Sequence, residues 1–140
     1  MTLDETLETF RSAAEAFAQG DPEPVKAAYS RAEDVTLANP FGPAVRGWKD
    51  VSKALDFASS RFSDGCVTEF QNLARYEAAG LVTLLDIEHW HARIGGGEHA
   101  DFALRVTSTY RSEDGDWKLV HRHADPITSV DAAGPTRTKP

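Results

Sequence analysis

Two acidic residues in the second half of the chain have the spacing of an acid–base pair. Asp86 and Glu88 are two residues apart in a segment with strand character, so both side chains point to one face of a sheet. Burial and proximity drive the pKa values of two such carboxyls apart, which suits one to donate a proton and the other to accept one. The pattern predicts Glu88 or Asp86 as the catalytic acid–base residue. The alternative is structural: Glu88 pairs with Arg122, and Asp86 lies at the wet rim.

The N-terminal part of the chain must supply helices to position this pair. Residues 3–17 carry apolar side chains at intervals of three and four, after a capping box formed by Thr2 and Glu5. An Asp-Pro pair at 21–22 opens a short second helix. A third helix is predicted from about residue 48 to residue 62, where apolar residues again share one side.

Strands dominate the rest of the chain. A short strand over 34–38 ends at the Asn-Pro-Phe-Gly-Pro segment, and four longer strands are predicted over 66–78, 81–94, 100–112 and 116–125. Helices followed by antiparallel strands predict an α+β fold, with a curved antiparallel sheet packed on three N-terminal helices and enclosing a pocket. We expect one domain over residues 1–128 and a flexible C-terminal tail over 129–140.

The last hairpin predicts which side chains of the final strands enter the pocket. Pairing Ser112 with Asp116 around a three-residue turn brings Val106 opposite Arg122. Because side chains alternate along a strand, Arg122 then points inward and Leu119 points outward.

The preceding hairpin predicts the partner of Arg122. Pairing around the glycine-rich turn at 95–99 places Glu88 beside Val106, so Glu88 and Arg122 lie in one row. We expect them to form an ion pair or a network with water, because unpaired charges inside a protein are costly. A slip of one residue would instead turn the histidines of segment 89–91 inward. The predicted interior is apolar at its narrow end and polar at its mouth.

The side chains predicted to bind a ligand lie on this inner face or at the mouth; they are Asn39, Trp48, Trp90, Ser108, Tyr110 and Arg122. Arg122, Ser108 and Tyr110 carry donors that place or polarise a carbonyl group. Asn39 is expected to be an amide donor at the mouth. In the alternative interpretation Tyr110 is a core aromatic residue and Trp48 caps the core.

Charge and composition exclude several classes of function. Fifteen Lys and Arg against 22 Asp and Glu give a net charge of −7, which disfavours nucleic acid and anionic membrane surfaces as partners. No apolar run approaches the ~18 residues of a membrane span, and the acidic start does not match a signal peptide. We expect a cytoplasmic protein.

The order of elements and the last strands resemble the nuclear transport factor 2-like superfamily, the cone-shaped α+β fold of ketosteroid isomerases and SnoaL-like polyketide cyclases. The likeness rests on the three helices, the Asn-Pro-Phe-Gly turn at 39–42, and segments 105–107 and 114–123. It implies a pocket for a small, largely apolar molecule. It also implies a homodimer through the outer sheet face, where threonines accompany Arg105.

The chain departs from the ketosteroid isomerase pattern at the residues that do the chemistry. The family's aspartate base matches Asn39, and an amide cannot take a proton at any useful pH. The family's helical tyrosine has no match in segment 11–14, and its protonated acid falls near Ser108. The ketosteroid isomerase mechanism is therefore disfavoured.

Two H-x-H motifs, at 89–91 and 121–123, have the residue type for a metal site. In the strand order of the resembled fold a third strand separates them by ~9–10 Å, too far for one ion. The single cysteine, Cys66, cannot form a cysteine-cluster site. We expect no metal and no organic cofactor, with the histidines on the outer face or in a subunit contact.

The first functional hypothesis is a cofactor-independent isomerase or polyketide-cyclase-like enzyme acting on a largely apolar carbonyl compound. The alternative is a non-catalytic ligand-binding or dimeric assembly domain. A third option is an epoxide hydrolase-like reaction, for which Asp86, Arg122 and Asp125 supply the residue types.

Overall fold

A computed structural model describes residues 1–130 and confirms the α+β fold. The helices are α1 (Leu3–Ala18), α2 (Glu23–Ala28) and α3 (Trp48–Ser60). The strands are β1 (Thr36–Asn39), β2 (Gly42–Arg46), β3 (Phe62–Ala78), β4 (Leu81–Ile94), β5 (His99–Glu113) and β6 (Asp116–Asp125). From residue 131 onward the tail predicted over 129–140 lies outside the described residues.

Helix α1 forms where the apolar spacing and the capping box predict it. The N–H of Glu5 donates to Thr2 Oγ1 and the N–H of Thr2 donates to Glu5 Oε1, each at 3.1 Å. These bonds satisfy backbone donors that the first turn would otherwise leave free. The buried side includes Phe10 and Phe17, so α1 forms one wall of the protein interior. Within residues 1–130, no helix is long and apolar enough to cross a membrane.

The six strands form one sheet in the order β2-β1-β6-β5-β4-β3. Strands β1 and β6 run parallel, so the sheet is mixed rather than wholly antiparallel as predicted. Strand β2 was not predicted, because its sequence begins with Gly42 and Pro43. It lies at the edge of the sheet, where a proline does not interrupt a ladder of hydrogen bonds.

Strands β4 and β5 pair two residues away from the predicted register. Asp86 lies opposite Val106, where the turn had predicted Ser108 as its partner. Glu88 lies opposite Leu104, where the turn had predicted Val106. The predicted pairing was therefore wrong, but a shift of two residues keeps every side chain on its predicted face. Along β4 the inward residues Val82, Leu84, Glu88 and Trp90 are all buried.

Strands β5 and β6 contain two deviations from the predicted register. The turn pairs Glu113 with Asp116, one residue from the prediction, and a bulge near Thr109 adds a second shift. Together they place Ser108, not Val106, opposite Arg122. Leu119 was predicted to point outward and is fully buried, because it precedes the bulge.

Candidate functional site

A buried ion pair lies at the centre of the interior. Arg122 Nη1 donates to Glu88 Oε2 at 2.8 Å, and Arg122 Nη2 donates to Glu88 Oε1 at 2.7 Å. Trp90 Nε1 donates to the same Oε1 at 3.1 Å, and only 1% of Glu88 is exposed. The predicted ion pair therefore forms, although Arg122 reaches Glu88 diagonally from its place opposite Ser108.

The ion pair keeps Arg122 charged. Burial alone would lower the pKa of Arg122, but the charge of Glu88 and its hydrogen bonds outweigh burial and raise it. The guanidinium also lies 5.3 Å from the centre of the Phe10 ring, a cation–π contact. Both oxygens of Glu88 thus accept hydrogen bonds from Arg122, and one of them also accepts from Trp90.

A cavity of about 240 Å³ lies on the Arg122 side of the pair. We call it the apolar cavity. Rings line it at centroid separations of 5.2 to 5.9 Å, among them Phe41, Phe62, Trp90 and Phe102. Its full lining is Phe17, Leu37, Asn39, Pro40, Phe41, Leu55, Ala58, Phe62, Trp90, Ile94, Phe102, Leu104, Arg122, Ala124 and Pro126. Asn39 and Arg122 are the two polar side chains in that lining.

Asn39 reaches the apolar cavity from the end of β1, where it was predicted at the mouth. Its Oδ1 accepts a hydrogen bond of 3.0 Å from the N–H of Phe41 in the tight turn to β2. The amide oxygen is thereby held by the backbone, and among the described residues Nδ2 has no partner. Asn39 can therefore donate to a ligand.

A second cavity of about 210 Å³ lies on the Glu88 side of the pair. We call it the polar cavity. It is lined by Leu7, Phe10, Arg11, Phe70, Asn72, Arg75, Leu84, Asp86, Glu88, Ser108 and Tyr110. Where the sequence predicted a single pocket, the structure thus has separate cavities on the two sides of the ion pair.

Asp86 is the half-buried carboxyl of the polar cavity. Its Oδ1 accepts a hydrogen bond of 2.7 Å from Asn72 Nδ2. Burial raises the pKa of Asp86, and the charge of Glu88 raises it further, against the lowering effects of Asn72, Arg122 and Arg11. Burial likewise raises the pKa of Tyr110.

The structure does not bring Trp48 to either cavity. Trp48 begins α3, where the Arg31 guanidinium stacks over its ring at 3.7 Å and the Tyr29 ring lies 6.2 Å away. This placement corresponds to the core-capping alternative.

The histidine motifs lie on the outer side of the sheet, so the one-residue slip does not occur. His91 Nδ1 lies 2.7 Å from Asp101 Oδ1, and His89 Nε2 lies 3.6 Å from Glu69. Among residues 1–130, no group of three or more His, Cys, Asp or Glu side chains could hold a metal ion. Asp125 binds Arg105 at 2.7 Å, so the structure does not assemble the Asp–Arg–Asp arrangement.

Sequence reasoning missed three polar residues of the polar cavity: Arg11 on α1, and Asn72 and Arg75 on β3. The spacing of Leu7 and Arg11 on one side of α1 was a signal, because residues four apart share a helix face. No local pattern indicates that β3 closes over that face.

Comparisons with known proteins agree with this architecture. The family model described as SnoaL-like domain matches residues 7–128. A search of curated protein sequences finds no match. A nuclear transport factor 2-like superfamily protein from Salmonella enterica serovar Typhimurium superimposes with a TM-score of 0.75 at 15% identity, over 93% of this chain and 92% of that one.

Two further solved structures have names that mention a reaction. A candidate dehydratase of the NTF2-like family from Streptomyces avermitilis has a TM-score of 0.70 at 16% identity, over 91% of this chain and 95% of that one. A ketosteroid isomerase-like protein from Erwinia carotovora atroseptica has a TM-score of 0.72 at 16% identity, with the same two coverages. At these identities the likeness shows the fold alone.

Proposed function

This chain belongs to the SnoaL-like domain family, and we propose that it binds a small, largely apolar molecule with a carbonyl group in the apolar cavity. The observation that carries the proposal is the cavity lining, in which aromatic rings surround two polar side chains, Asn39 and Arg122. Concave sites lined by apolar groups with a few placed donors are typical of small-molecule binding.

The volume of the apolar cavity limits the ligand. About 240 Å³ is below the ~300–1,000 Å³ of sites for drug-sized molecules. A compound with one or two fused rings suits this space, and flat rings match its aromatic walls.

The two polar side chains favour a carbonyl over a purely apolar ligand. A guanidinium has five N–H donors, and Arg122 uses two of them for Glu88. A carbonyl oxygen bonded to a charged donor gains roughly 1.5–3 kcal/mol, and Asn39 Nδ2 offers a second donor.

Acid–base catalysis is the second candidate, and the observation that favours it is Asp86. This carboxyl lines a cavity, and burial raises its pKa, as a general acid or base requires. Two proteins of similar fold, a candidate dehydratase and a ketosteroid isomerase-like protein, support the assignment as an enzyme. The apolar cavity, however, contains no carboxyl in its lining, so a ligand bound there does not reach Asp86. The geometry therefore favours binding.

A matched pair of ligands tests the binding proposal. We expect 1-indanone to bind the full chain saturably and about tenfold more tightly than indane, which lacks the carbonyl. Titration calorimetry and ligand-induced shifts in melting temperature measure both affinities. Equal binding of the two compounds, or no saturable binding of either at millimolar concentration, contradicts the proposal.

A filled cavity provides the control. Ala58 is buried in α3 and lines the apolar cavity, so Ala58→Leu is expected to abolish 1-indanone binding. Ala54→Leu makes the same change one turn earlier, outside that lining, and is expected to leave binding intact. Equal 1-indanone binding by both folded variants would place the ligand elsewhere.

A further inference from the structure

The polar cavity contains hydroxyl groups that no protein group satisfies. Only 5% of Ser108 and 2% of Tyr110 are exposed, and both line this cavity. Neither hydroxyl has a hydrogen-bond partner among residues 1–130. In this part of the chain, every side-chain oxygen or nitrogen that is fully shielded from solvent does have a hydrogen-bond partner. Both hydroxyl oxygens therefore retain access to the cavity space, where each can accept a hydrogen bond.

Asp86 adds a third acceptor to the same wall. Asn72 binds its Oδ1, and Oδ2 has no hydrogen-bond partner within the described residues. Burying a carboxylate without a cationic partner costs free energy, and a ligand with a positive charge would offset that cost.

None of the positive charges around the polar cavity contacts this carboxylate directly. Glu88 is neutralised by Arg122 within the ion pair. Of the two other arginines of the lining, Arg11 lies over the Phe70 ring at 5.2 Å and 3.9 Å from Glu8, and Arg75 binds Asp4 and Glu77 at 3.3 and 3.1 Å. Neither forms an ion pair with Asp86, so this carboxylate has no direct cationic partner among the described residues, although the more distant charges of Arg122 and Arg11 act on it.

We propose that the polar cavity binds a small molecule with a primary ammonium group, held by Asp86, Ser108 and Tyr110. An ammonium group has three N–H donors and one positive charge, and this wall offers three unpartnered oxygens and one negative charge. The apolar side chains of Leu7, Phe10 and Leu84 accommodate a short alkyl chain.

Other ligand charges match the wall less well. A neutral alcohol supplies one donor and leaves Asp86 uncompensated. A carboxylate meets Asp86 and Glu88, and only the arginines at the outer part of the cavity favour it. This site is separate from the apolar cavity, and it stands whether or not Asp86 also transfers protons.

Three probes of matched chain length test the site. We expect titration calorimetry at pH 7 to show saturable binding of n-butylammonium to the full chain, at least about tenfold tighter than n-butanol, and no saturable binding of butyrate. Binding of butyrate in preference to n-butylammonium would overturn the proposal and assign the cavity to its arginines. Equal binding of the amine and the alcohol would also overturn it.

Substitutions locate the amine. Asp86→Asn keeps the shape of the side chain and is expected to weaken n-butylammonium binding at least about tenfold, whereas Ser108→Ala and Tyr110→Phe weaken it several-fold. Asp114→Asn makes the same change in the exposed turn before β6 and is expected to have no effect. Equal affinities of the Asp86 and Asp114 variants would show that the amine binds elsewhere. If Asp86→Asn does not fold, Ser108→Ala and Tyr110→Phe decide the result, and unchanged affinity in both overturns the proposal.

The proposals for the two cavities can be tested independently of each other. Ala58→Leu is expected to retain n-butylammonium binding, and Asp86→Asn is expected to retain 1-indanone binding. Loss of amine binding by Ala58→Leu while the variant stays folded would contradict a separate polar site.

Discussion

Glu88 and Arg122 are a pair of opposite charges held almost entirely away from water. Two direct hydrogen bonds join them, and Trp90 adds a third to the carboxylate. Such a pair does not by itself stabilise a fold more than apolar residues of similar volume would, but removing one partner leaves a buried charge alone. The pair also forms the wall between the two cavities, since Arg122 lines one and Glu88 the other.

Single and double replacements test this account. Glu88→Gln and Arg122→Met are each expected to lower the free energy of unfolding by about 3–5 kcal/mol, and the double variant is expected to recover most of that loss. Urea denaturation of the four proteins measures these values. A loss below about 1 kcal/mol in both single variants would mean that water already screens the pair.

Asp86 makes stability depend on pH in a defined direction. Because its pKa is raised in the folded protein, folding favours its protonated form. Its contribution is fully present below the unfolded-state pKa and is lost as pH rises through the folded-state pKa. We therefore expect Asp86→Asn to melt at a higher temperature than the wild type at pH 7, with the difference closing toward pH ~4.

The size of this effect is limited because Asp86 is only half buried, and we expect less than about 1 kcal/mol at pH 7. Asp114→Asn serves as the control in the same melting experiments. A variant Asp86→Asn that is less stable than the wild type at pH 7 would show that the carboxylate is stabilised in the fold.

At the scale of elements, one glycine determines how closely α1 approaches the sheet. A Cβ atom added at Gly65 would lie 2.6 Å from both the Ala18 carbonyl oxygen and Ala92 Cβ. The backbone of β3 therefore passes directly under the end of α1, the helix that contributes side chains to the linings of both cavities.

Alanine substitution measures this contact. Gly65→Ala is expected to destabilise the protein by about 1–3 kcal/mol, because the overpacked methyl must displace backbone. Gly42→Ala is the matched control, since a Cβ there meets nothing within 4 Å. Chemical denaturation compares the two, and equal stabilities would show that α1 adjusts freely.

The hairpins show why the sequence predicted the face of most side chains correctly but not the pairing of the strands. The predicted β4–β5 pairing was two residues away from the observed one, and in β5–β6 a shifted turn and a bulge add to two. A register error of two residues leaves each side chain on its predicted face, so Glu88 and Arg122 were correctly placed inside. The prediction for Leu119 was wrong because Leu119 lies between the two shifts, where the register error is one residue and side chains change faces.

At the scale of the whole molecule, the cavities on the two sides of the ion pair have similar volumes and different linings. The lining of the apolar cavity is mostly apolar and includes several aromatic rings, whereas the polar cavity is lined by charged and hydroxyl groups beside apolar side chains. A homodimer through the outer sheet face around Arg105 stays a prediction. The proposed ligands of the two cavities differ in charge because Arg122 lines the apolar cavity and Glu88 lines the polar cavity.

The amino-acid sequence by itself determined the three helices, the four long strands and most of the inward side chains, because these depend on periods of 3.6 and 2 residues that are local properties of the chain. It also determined that Asn39 cannot act as a base. Only the tertiary structure decided that the pocket is divided and that Trp48 lies outside it. Those outcomes depend on the diagonal reach of Arg122 and on where α1 lies against β3, and distances between elements far apart in the chain are not encoded in any local pattern.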